Sequence, residues 1–306
     1  MAPASRAKCK RSRMYECFLE IAFEAELNTK EDPELLAIAR EQCNENAATR
    51  DIAIAELRKL IFDRGQCTPH RTDDAFLLRF LRTTNFIVPR AHKLLVRYCT
   101  FREQYPHLYK GVDLWGLMKV KDAYEGSMLD RPDVGRLSVF KFGVWDPNEF
   151  PVEDLVRAGM AITEIVLRQP KVQVLGGNVI VDMSGLTLKH VSTLTPTIAY
   201  QIVHLLGISI PGRLRSCHVI NYSWILHTVF YIFKKFIPQQ AWEKIFFHGN
   251  DLKSLHKHIP PECLPERYGG TNKGHVSMGK WLQKIKKYRD EEFDKEMKDL
   301  GYVIKE

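Results

Sequence analysis

The sequence lacks the features on which small secreted proteins and membrane-spanning proteins depend. Seven cysteines occur singly along 306 residues, the number is odd, and no C-x-x-C motif is present. This usage is typical of buried free thiols in a reducing compartment and excludes a disulfide scaffold. No apolar run reaches the roughly 20 residues that a membrane span requires. Glutamates interrupt the region after the basic start, so we expect no secretory signal.

Motifs for common enzyme chemistry are also missing. The chain has no GxxxxGK[ST] loop, no G-x-S-x-G elbow and no H-E-x-x-H pair. The nearest metal-like set comprises His248, His256, His258 and Cys263, whose spacing matches no common zinc pattern. Asp182 ends an apolar run without a visible base or nucleophile, so we expect its carboxylate to accept nearby backbone N–H groups. The sequence predicts a protein that is not an enzyme and needs no cofactor or metal.

What the chain does have is a surplus of positive charge. It is 45% hydrophobic and 27% charged, with a formal net charge of +8 and a pI near 9.0. This balance favours anionic partners such as nucleic acid, a phospholipid surface or an acidic ligand. The aromatic residues gather in apolar runs instead of alternating with Lys and Arg, so we expect no nucleic-acid partner.

Periodicity divides the chain into a helical part and an alternating part. Residues 1–13 have the composition of a disordered basic tail. Asp32 and Pro33 form a strong helix start, and residues 51–62 carry apolar side chains at helical spacing. The predicted divisions are a basic extension, a helical domain, an α/β domain and a helical tail, at residues 1–30, 31–116, 117–272 and 273–306.

Short β-rich runs alternate with helical stretches in the predicted α/β domain. The runs LSVFKF, NVIVDM and CHVIN are separated by VEDLVRAGMAITEIVLRQ and PTIAYQIVHLLG. Such alternation predicts β-α-β units and a largely parallel sheet. A Gly176-Gly177 pair marks a turn before the second run and is not a dinucleotide loop, since no G-x-x-G leads into a helix.

The stretch NYSWILHTVFYIFKKFIP, at residues 221–238, is apolar on nearly every side. It is too short to span a bilayer, and it lacks the polar, solvent-exposed face of an ordinary surface helix. Two explanations remain open from the residues alone. It is either a plain core helix or a helix with a different apolar neighbour on each side.

Several motifs resemble the CRAL-TRIO lipid-transfer family over roughly residues 35–272. In order they are DDAFLLRFLRTTNFIVPRAHKLL, VWDP, GGNVIVDMSGLTLKHVSTLTP, IPGRLRSCHVIN, FKKFIPQQAWEKIFFHGND and LPERYGG. The resemblance implies an N-terminal helical bundle followed by an α/β lipid-binding domain with a largely parallel sheet. It further implies that the sheet forms the floor of an apolar pocket and that residues 222–237 form a mobile lid helix over this pocket.

Carried over position by position, the family's pocket implies a set of ligand-binding residues. In the body of the domain they are Phe140, Gly143, Val156, Gly159, Met160, Thr163, Val181, Leu188, Leu194, Ile202, Leu205 and Ile210; in the lid they are Ile225, Val229, Ile232 and Phe233. We expect Gly143, Gly159 and Gly177 to leave room for a bulky ligand, and Thr163 to be the polar group inside.

A basic cluster flanks the lid. The resemblance implies phosphoinositide binding by Arg213, Arg215, Lys234, Lys235 and Lys244. The chain departs from family members that carry basic residues where it has Thr84 and Gln240, which affects headgroup selectivity. It also has Ser216 where a member uses a pocket lysine for inositol phosphate, and this disfavours phosphatidylinositol as the enclosed cargo.

The function that follows is an intracellular carrier. We expect it to hold a tocopherol-, retinoid- or isoprenoid-like lipid and to exchange it at phosphoinositide-containing membranes. We expect a cytoplasmic monomer that associates transiently with endosomal or other intracellular membranes. The alternative is a phosphoinositide-binding membrane adaptor without stable apolar cargo.

Overall fold

The described part of the chain begins with four α-helices. A computed structural model describes residues 26–127 and 130–306, so the predicted basic tail lies outside the described residues. The helices are α1 (Pro33–Cys43), α2 (Ala47–Arg64), α3 (Asp74–Thr83) and α4 (Val88–Gln104). Asp32 caps α1 as expected, since its carboxylate accepts a hydrogen bond of 2.7 Å from the Leu35 N–H. Asp73 caps α3 in the same way.

The rest of the chain is a sheet with helices on both sides. The strands are β1 (Tyr124–Ser127), β2 (Arg136–Lys141), β3 (Gly177–Asp182), β4 (Leu214–Ile220), β5 (Ile245–Gly249) and β6 (His275–Ser277). The helices are α5 (Val152–Val166), α6 (Pro170–Leu175), α7 (Leu188–Ser192), α8 (Pro196–Val203), α9 (Leu226–Phe233), α10 (Leu252–His256), α11 (Met278–Tyr288) and α12 (Glu291–Leu300).

The strand order is β5-β4-β3-β2-β1-β6. Strands β2 to β5 are parallel, whereas β1 pairs antiparallel with both β2 and β6. The predicted α/β class with a largely parallel sheet is therefore confirmed. None of the helices in the described residues has the length and hydropathy needed to cross a membrane.

Alternating side chains give the sheet two different faces. Leu137, Val139 and Ile180 belong to a closed core with Leu255 and Leu264, so this outer face is solidly packed. The opposite, inner face is turned toward α5, α8 and α9 and borders the cavities described below. One strand can serve both faces because successive side chains point to opposite sides.

Buried arginines join the helical bundle to the sheet domain, one through a hydrogen bond and one through an ion pair. Arg82 of α3 is 1% exposed; its Nε lies 2.9 Å from the Glu45 carboxylate, and its Nη1 donates to the Gln173 side chain of α6. Arg102 of α4 similarly reaches Glu164 of α5 at 2.9 Å. Since a buried charge is costly unless paired, these contacts fix how the bundle docks.

Candidate functional site

Two adjoining cavities lie between the inner face of the sheet and the helices. The first, here the lid lobe, lies between β3, β4, β5 and α9 and has about 980 Å³ of space free of atoms, part of it open to solvent. The second, the inner lobe, lies between β2, β3 and α5 and has about 1190 Å³ of such space, also partly open to solvent. The two share the side chains of Phe142, Val181, Ile202, Leu206 and Leu214. The two cavities therefore adjoin along these side chains, and they are together named the chamber.

The walls of the lid lobe are almost entirely hydrocarbon. Val181 and Val219 rise from the floor, and Ile245 and Phe247 extend it along β5. The sulfur of Cys217 also faces this lobe, where burial raises the pKa of its thiol to about 12. That thiol stays protonated and weakly polar near neutral pH, so the lobe suits an apolar ligand.

Helix α9 covers the lid lobe. Its inner side chains, Leu226, Val229, Phe230 and Phe233, line the cavity at the i, i+3, i+4, i+7 spacing of one helical face. Val229 is only 6% exposed. The helix is shorter than the apolar run predicted, since residues 224–225 and residues 234–236 form turns. It thus has a void beneath it, unlike a plain core helix.

The outer face of α9 is not uniformly apolar. Trp224 and Tyr231 are 66% and 59% exposed, and His227 and Thr228 lie in solvent beside them. The ammonium groups of the lysines at 234 and 235 each lie 5.0 Å from the centre of the Tyr231 ring. Exposed Trp and Tyr with Lys are the side chains enriched where protein meets lipid headgroups.

The inner lobe contains a few polar groups in an apolar wall. The Thr163 hydroxyl already donates to the Met160 carbonyl at 2.8 Å, and the Tyr124 hydroxyl donates to the Leu155 carbonyl at 2.7 Å. The Ser138 hydroxyl also borders this lobe. Thr163 is therefore not the only polar side chain in the lobe, and its hydroxyl proton is already donated to the Met160 carbonyl.

Most of the predicted ligand-binding residues border the chamber. Those that line one or both lobes are Phe140, Val156, Gly159, Thr163, Val181, Leu194, Ile202, Leu205, Ile210, Val229 and Phe233. Their role in binding stays a prediction. The residues that border neither lobe are Gly143, Met160, Leu188, Ile225 and Ile232.

The structure explains why each of these five residues lies outside the lining of the chamber. Leu188 opens α7 and is 59% exposed, whereas Met160 is fully buried in the core behind the wall. Ile225 and Ile232 pack on the core from the sides of the lid. Gly143 leaves no room for a ligand, because a Cβ there would lie 1.9 Å from the Ser184 carbonyl oxygen.

Gly159 and Gly177 differ in whether the missing side chain opens space in the inner lobe. A Cβ on Gly159 would meet only the side chains of Leu205 and Tyr124, each at 3.6 Å, so this position does open space in the inner lobe. Gly177 also borders that lobe, but a Cβ there would lie 2.7 Å from the Arg136 carbonyl oxygen. Close approach of neighbouring strands explains Gly177 without reference to a ligand.

Sequence reasoning missed the wall supplied by β5. Ile245 and Phe247 were not recognised because β5 itself was not predicted. The available signal was the pairing of alternate positions in IFFHG, which places these two side chains on one face. Ser138 carries the same kind of signal, since it lies two residues before Phe140 on β2.

The predicted phosphoinositide residues form two groups. Arg213 donates to the Gln42 carbonyl at 2.7 Å, Arg215 donates to the Gln42 side chain at 2.9 Å, and Lys244 donates to the Leu214 carbonyl at 2.8 Å. This first group surrounds the start of β4. The second group is the lysine pair at the end of α9.

The first group concentrates positive charge around the start of β4. Within residues 26–127 and 130–306, none of Arg213, Arg215 and Lys244 forms an ion pair. Burial lowers the pKa of Arg215, and the neighbouring Arg213 charge lowers it further, against a smaller opposite effect of Asp133. Two adjacent guanidinium groups held by neutral carbonyls make a site that attracts an anion.

Ser216 lies outside the chamber. Its hydroxyl is on the outer face of the sheet, 2.6 Å from Nε2 of His218, whose Nδ1 lies 2.8 Å from Nε2 of His248. Burial, and then the charges of His248 and His258, lower the pKa of His218 to about 3. No group of three or more potential ligands in the described ranges is arranged to hold a metal ion.

Asp182 has the structural role expected from the sequence. Its carboxylate accepts hydrogen bonds from the Ser184 hydroxyl at 2.6 Å, the Tyr268 hydroxyl at 2.7 Å, the Ser184 N–H at 2.9 Å and the Asn221 amide at 3.0 Å. Burial raises the pKa of Asp182, but these donors together outweigh it and bring the pKa below its ordinary value. The group stays ionised and joins β3 to the loop before β6.

Two family models match the chain on either side of the bundle–sheet junction. The CRAL/TRIO N-terminal domain model matches residues 34–97, and the CRAL/TRIO domain model matches residues 133–270. The chain belongs to the CRAL-TRIO family. The suspected resemblance is thus confirmed, and membership of this lipid-transfer family supports lipid binding by the chain.

Curated relatives extend the similarity over most of the chain. Clavesin-2 of Homo sapiens and of Rattus norvegicus are each 34% identical over 86% of this chain and 80% of the relative. Clavesin-1 of Xenopus laevis is 33% identical over 83% of this chain and 77% of its own length. Among solved structures, a crystal structure of Sfh5 matches with a TM-score of 0.44 and 13% identity, over 80% of this chain and 99% of that one.

Proposed function

We propose that this protein is a carrier for a small hydrophobic lipid of the tocopherol, retinoid or isoprenoid type. It takes the lipid into the two-lobed chamber and exchanges it at membranes that contain phosphoinositides. The observation that carries the proposal is an apolar chamber whose cover, α9, contributes its own inner face to the wall. No covalent chemistry is required for this function.

The energetics of burial favour retention by the lid. A ligand that buries ~400 Å² of apolar surface gains on the order of 10 kcal/mol before costs. Association itself costs about 4–15 kcal/mol, which removes much of that gain. Slow exit under a closed α9 is therefore as important as affinity, because affinities differ mainly through dissociation rates.

Release is a membrane event in this proposal. Opening α9 in water would expose Leu226, Val229 and Phe233, whereas opening it against a bilayer would not. The exposed Trp224 and Tyr231 suit the headgroup region. Each nearby Lys or Arg adds about 1 kcal/mol of attraction to an anionic surface.

A phosphoinositide headgroup would bind Arg213, Arg215 and Lys244. The lack of carboxylate partners for these residues in the described part of the chain supports this assignment. If the headgroup binds the open state more tightly than the closed state, it shifts the population toward opening and speeds transfer. Because this chain has Thr84 and Gln240 where family members carry basic residues, its selectivity among headgroups does not follow from theirs.

The test is transfer of a lipid between vesicles with and without phosphoinositide. We expect phosphoinositide to accelerate transfer by the wild-type protein and to have much less effect on Arg215→Ala and Lys244→Gln. Lys59→Ala removes an exposed charge on α2, distant in sequence from the site, and should behave as wild type. Equal rates for all proteins on both vesicles would refute the membrane step.

The adaptor function is the second candidate, supported by the same unneutralised charges. Lipid extraction separates the two. A stoichiometric apolar lipid in the purified protein supports the carrier, whereas an empty chamber together with phosphoinositide-dependent vesicle binding supports the adaptor.

A further inference from the structure

The Ser138 hydroxyl faces the inner lobe without a hydrogen-bond partner among residues 26–127 and 130–306. On β2 the side chains of Arg136, Ser138 and Phe140 point to the inner face, whereas Leu137 and Val139 belong to the outer core. Ser138 therefore projects toward the lobe at mid-strand, opposite Gly126 of β1, whose lack of a side chain leaves its surroundings open. This position is rigid, because β2 is paired on both edges.

The other polar groups of the inner lobe are already engaged. The hydroxyl protons of Tyr124 and Thr163 are donated to backbone carbonyls, and Arg213 donates to the Gln42 carbonyl. In the ranges that the structure describes, no hydrogen bond is formed by the side chain of Ser138. Ser138 is half-buried, so its hydroxyl is accessible from the lobe. A ligand that displaces water there gains affinity when it supplies a hydrogen-bond partner for this hydroxyl and loses affinity when it does not.

The charge behind Ser138 decides what kind of polar group fits. Arg136 lies two residues away on the same face, about 7 Å along the strand. Its guanidinium contacts two carboxylates, Glu26 at 2.7 Å and Asp130 at 2.6 Å, and all three side chains are at most 6% exposed. These three groups carry one net negative charge, which offsets the positive charge of Arg213 at the same end of the lobe. A ligand carboxylate therefore gains no net attraction there and loses its hydration, whereas a neutral hydroxyl loses much less.

We propose that Ser138 is a specificity-determining residue that hydrogen-bonds the hydroxyl of a neutral lipid alcohol. The inference rests on the proposed carrier function and narrows its cargo to alcohols over hydrocarbons and fatty acids. It also orients the cargo, with the hydroxyl under β2 in the inner lobe. The hydrocarbon tail then extends past Val181 and Ile202, which both lobes share, to the lid lobe.

The experiment compares three lipids with one carbon skeleton. Phosphatidylcholine vesicles carry equal amounts of geranylgeraniol, the hydrocarbon with hydrogen in place of its hydroxyl, and geranylgeranoic acid. After incubation the protein is separated from the vesicles, and its bound lipids are extracted and quantified by mass spectrometry. The proteins are wild type, Ser138→Thr and Ser138→Val, since Thr and Val have nearly the same volume but only Thr has a hydroxyl.

A surface serine provides the control for handling and expression. Ser192→Ala alters an exposed hydroxyl on α7 that donates to the Lys189 carbonyl, away from the inner face. Equal melting temperatures of wild type and every variant ensure that differences in bound lipid do not reflect unfolding. Ser138→Ala is a second hydroxyl-free variant that adds no volume, in case Val at this position crowds the lobe.

We expect wild type, Ser138→Thr and Ser192→Ala to prefer the alcohol to the hydrocarbon by about three- to tenfold, the effect of one hydrogen bond. Ser138→Val and Ser138→Ala should lose that preference, and the acid should be the least bound lipid throughout. Equal alcohol preference in all five proteins, or a preference for the acid, would overturn the assignment while leaving a carrier. Uptake of none of the three lipids by wild type would overturn the carrier function itself, and the assignment with it.

Discussion

Filling the inner lobe from Gly159 should separate lipid binding from stability. Gly159 lies within α5, and a Cβ there meets Leu205 and Tyr124 at an ordinary contact distance of 3.6 Å. In Gly159→Leu the three further carbon atoms must enter the cavity, where they exclude about three methylene groups of a ligand. At about 0.8 kcal/mol per methylene group, the lost burial is about 2.4 kcal/mol, or about 60-fold in affinity.

The unliganded protein should respond in the opposite direction. Glycine in a helix interior costs about 1 kcal/mol relative to good helix formers. Leucine at position 159 should therefore raise the free energy of unfolding of the lipid-free protein by about 0.5–1 kcal/mol. For a chain of this size that corresponds to a rise in Tm of about 1–4 °C.

The assay is the bound fraction of geranylgeraniol after exchange with vesicles, together with the Tm of the delipidated protein by calorimetry. Gly159→Ala adds only the Cβ and should keep most of the affinity while gaining the same helix stability. Undiminished lipid binding by Gly159→Leu would refute the assignment of the inner lobe as the binding chamber. A lower Tm would instead show that the space near Gly159 is not free.

Other substitutions test the framework around the chamber. Gly143→Ala should lower the free energy of unfolding by about 1–3 kcal/mol in urea denaturation, because its Cβ would meet the Ser184 carbonyl at 1.9 Å; unchanged stability would contradict that close contact. Arg82→Met should cost about 2–3 kcal/mol by the same assay, less than a fully broken buried pair, because the Glu45 carboxylate loses Arg82 but keeps Arg50 at 3.0 Å. Since the pKa of Asp182 is lowered in the folded protein, its ionised form stabilises the fold above the unfolded-state pKa of about 4, and this contribution is lost as the pH falls through the folded-state pKa. Asp182→Asn should consequently reduce Tm more at pH 7 than at pH 3, and an equal reduction at both would contradict the role of the charge.

The central strands and most helices could be predicted from local patterns. Strands β2, β3 and β4 are apolar runs rich in residues that favour β-structure. The capping residues Asp32 and Asp73 predict where their helices begin. Strands β1, β5 and β6 were missed, since they are short and mix polar, glycine or aromatic positions. Their place in the sheet depends on tertiary pairing that local sequence does not encode.

The chamber could be predicted only in part. The inner stripe of α9 follows from helical spacing, and most pocket positions came from the family resemblance. Leu188 could not be placed, because its exposure depends on how α7 leaves the sheet. Contacts such as Arg82 with Gln173, separated by 91 positions, arise from docking of whole helices and have no local signature.

Mass spectrometry of the protein as purified tests the carrier most directly. Native spectra should show a mass increment of one lipid molecule per chain, and organic extracts should contain that neutral lipid in a molar ratio near one. Protein that retains no apolar lipid, and takes none from vesicles that supply geranylgeraniol, would contradict a chamber built to carry one.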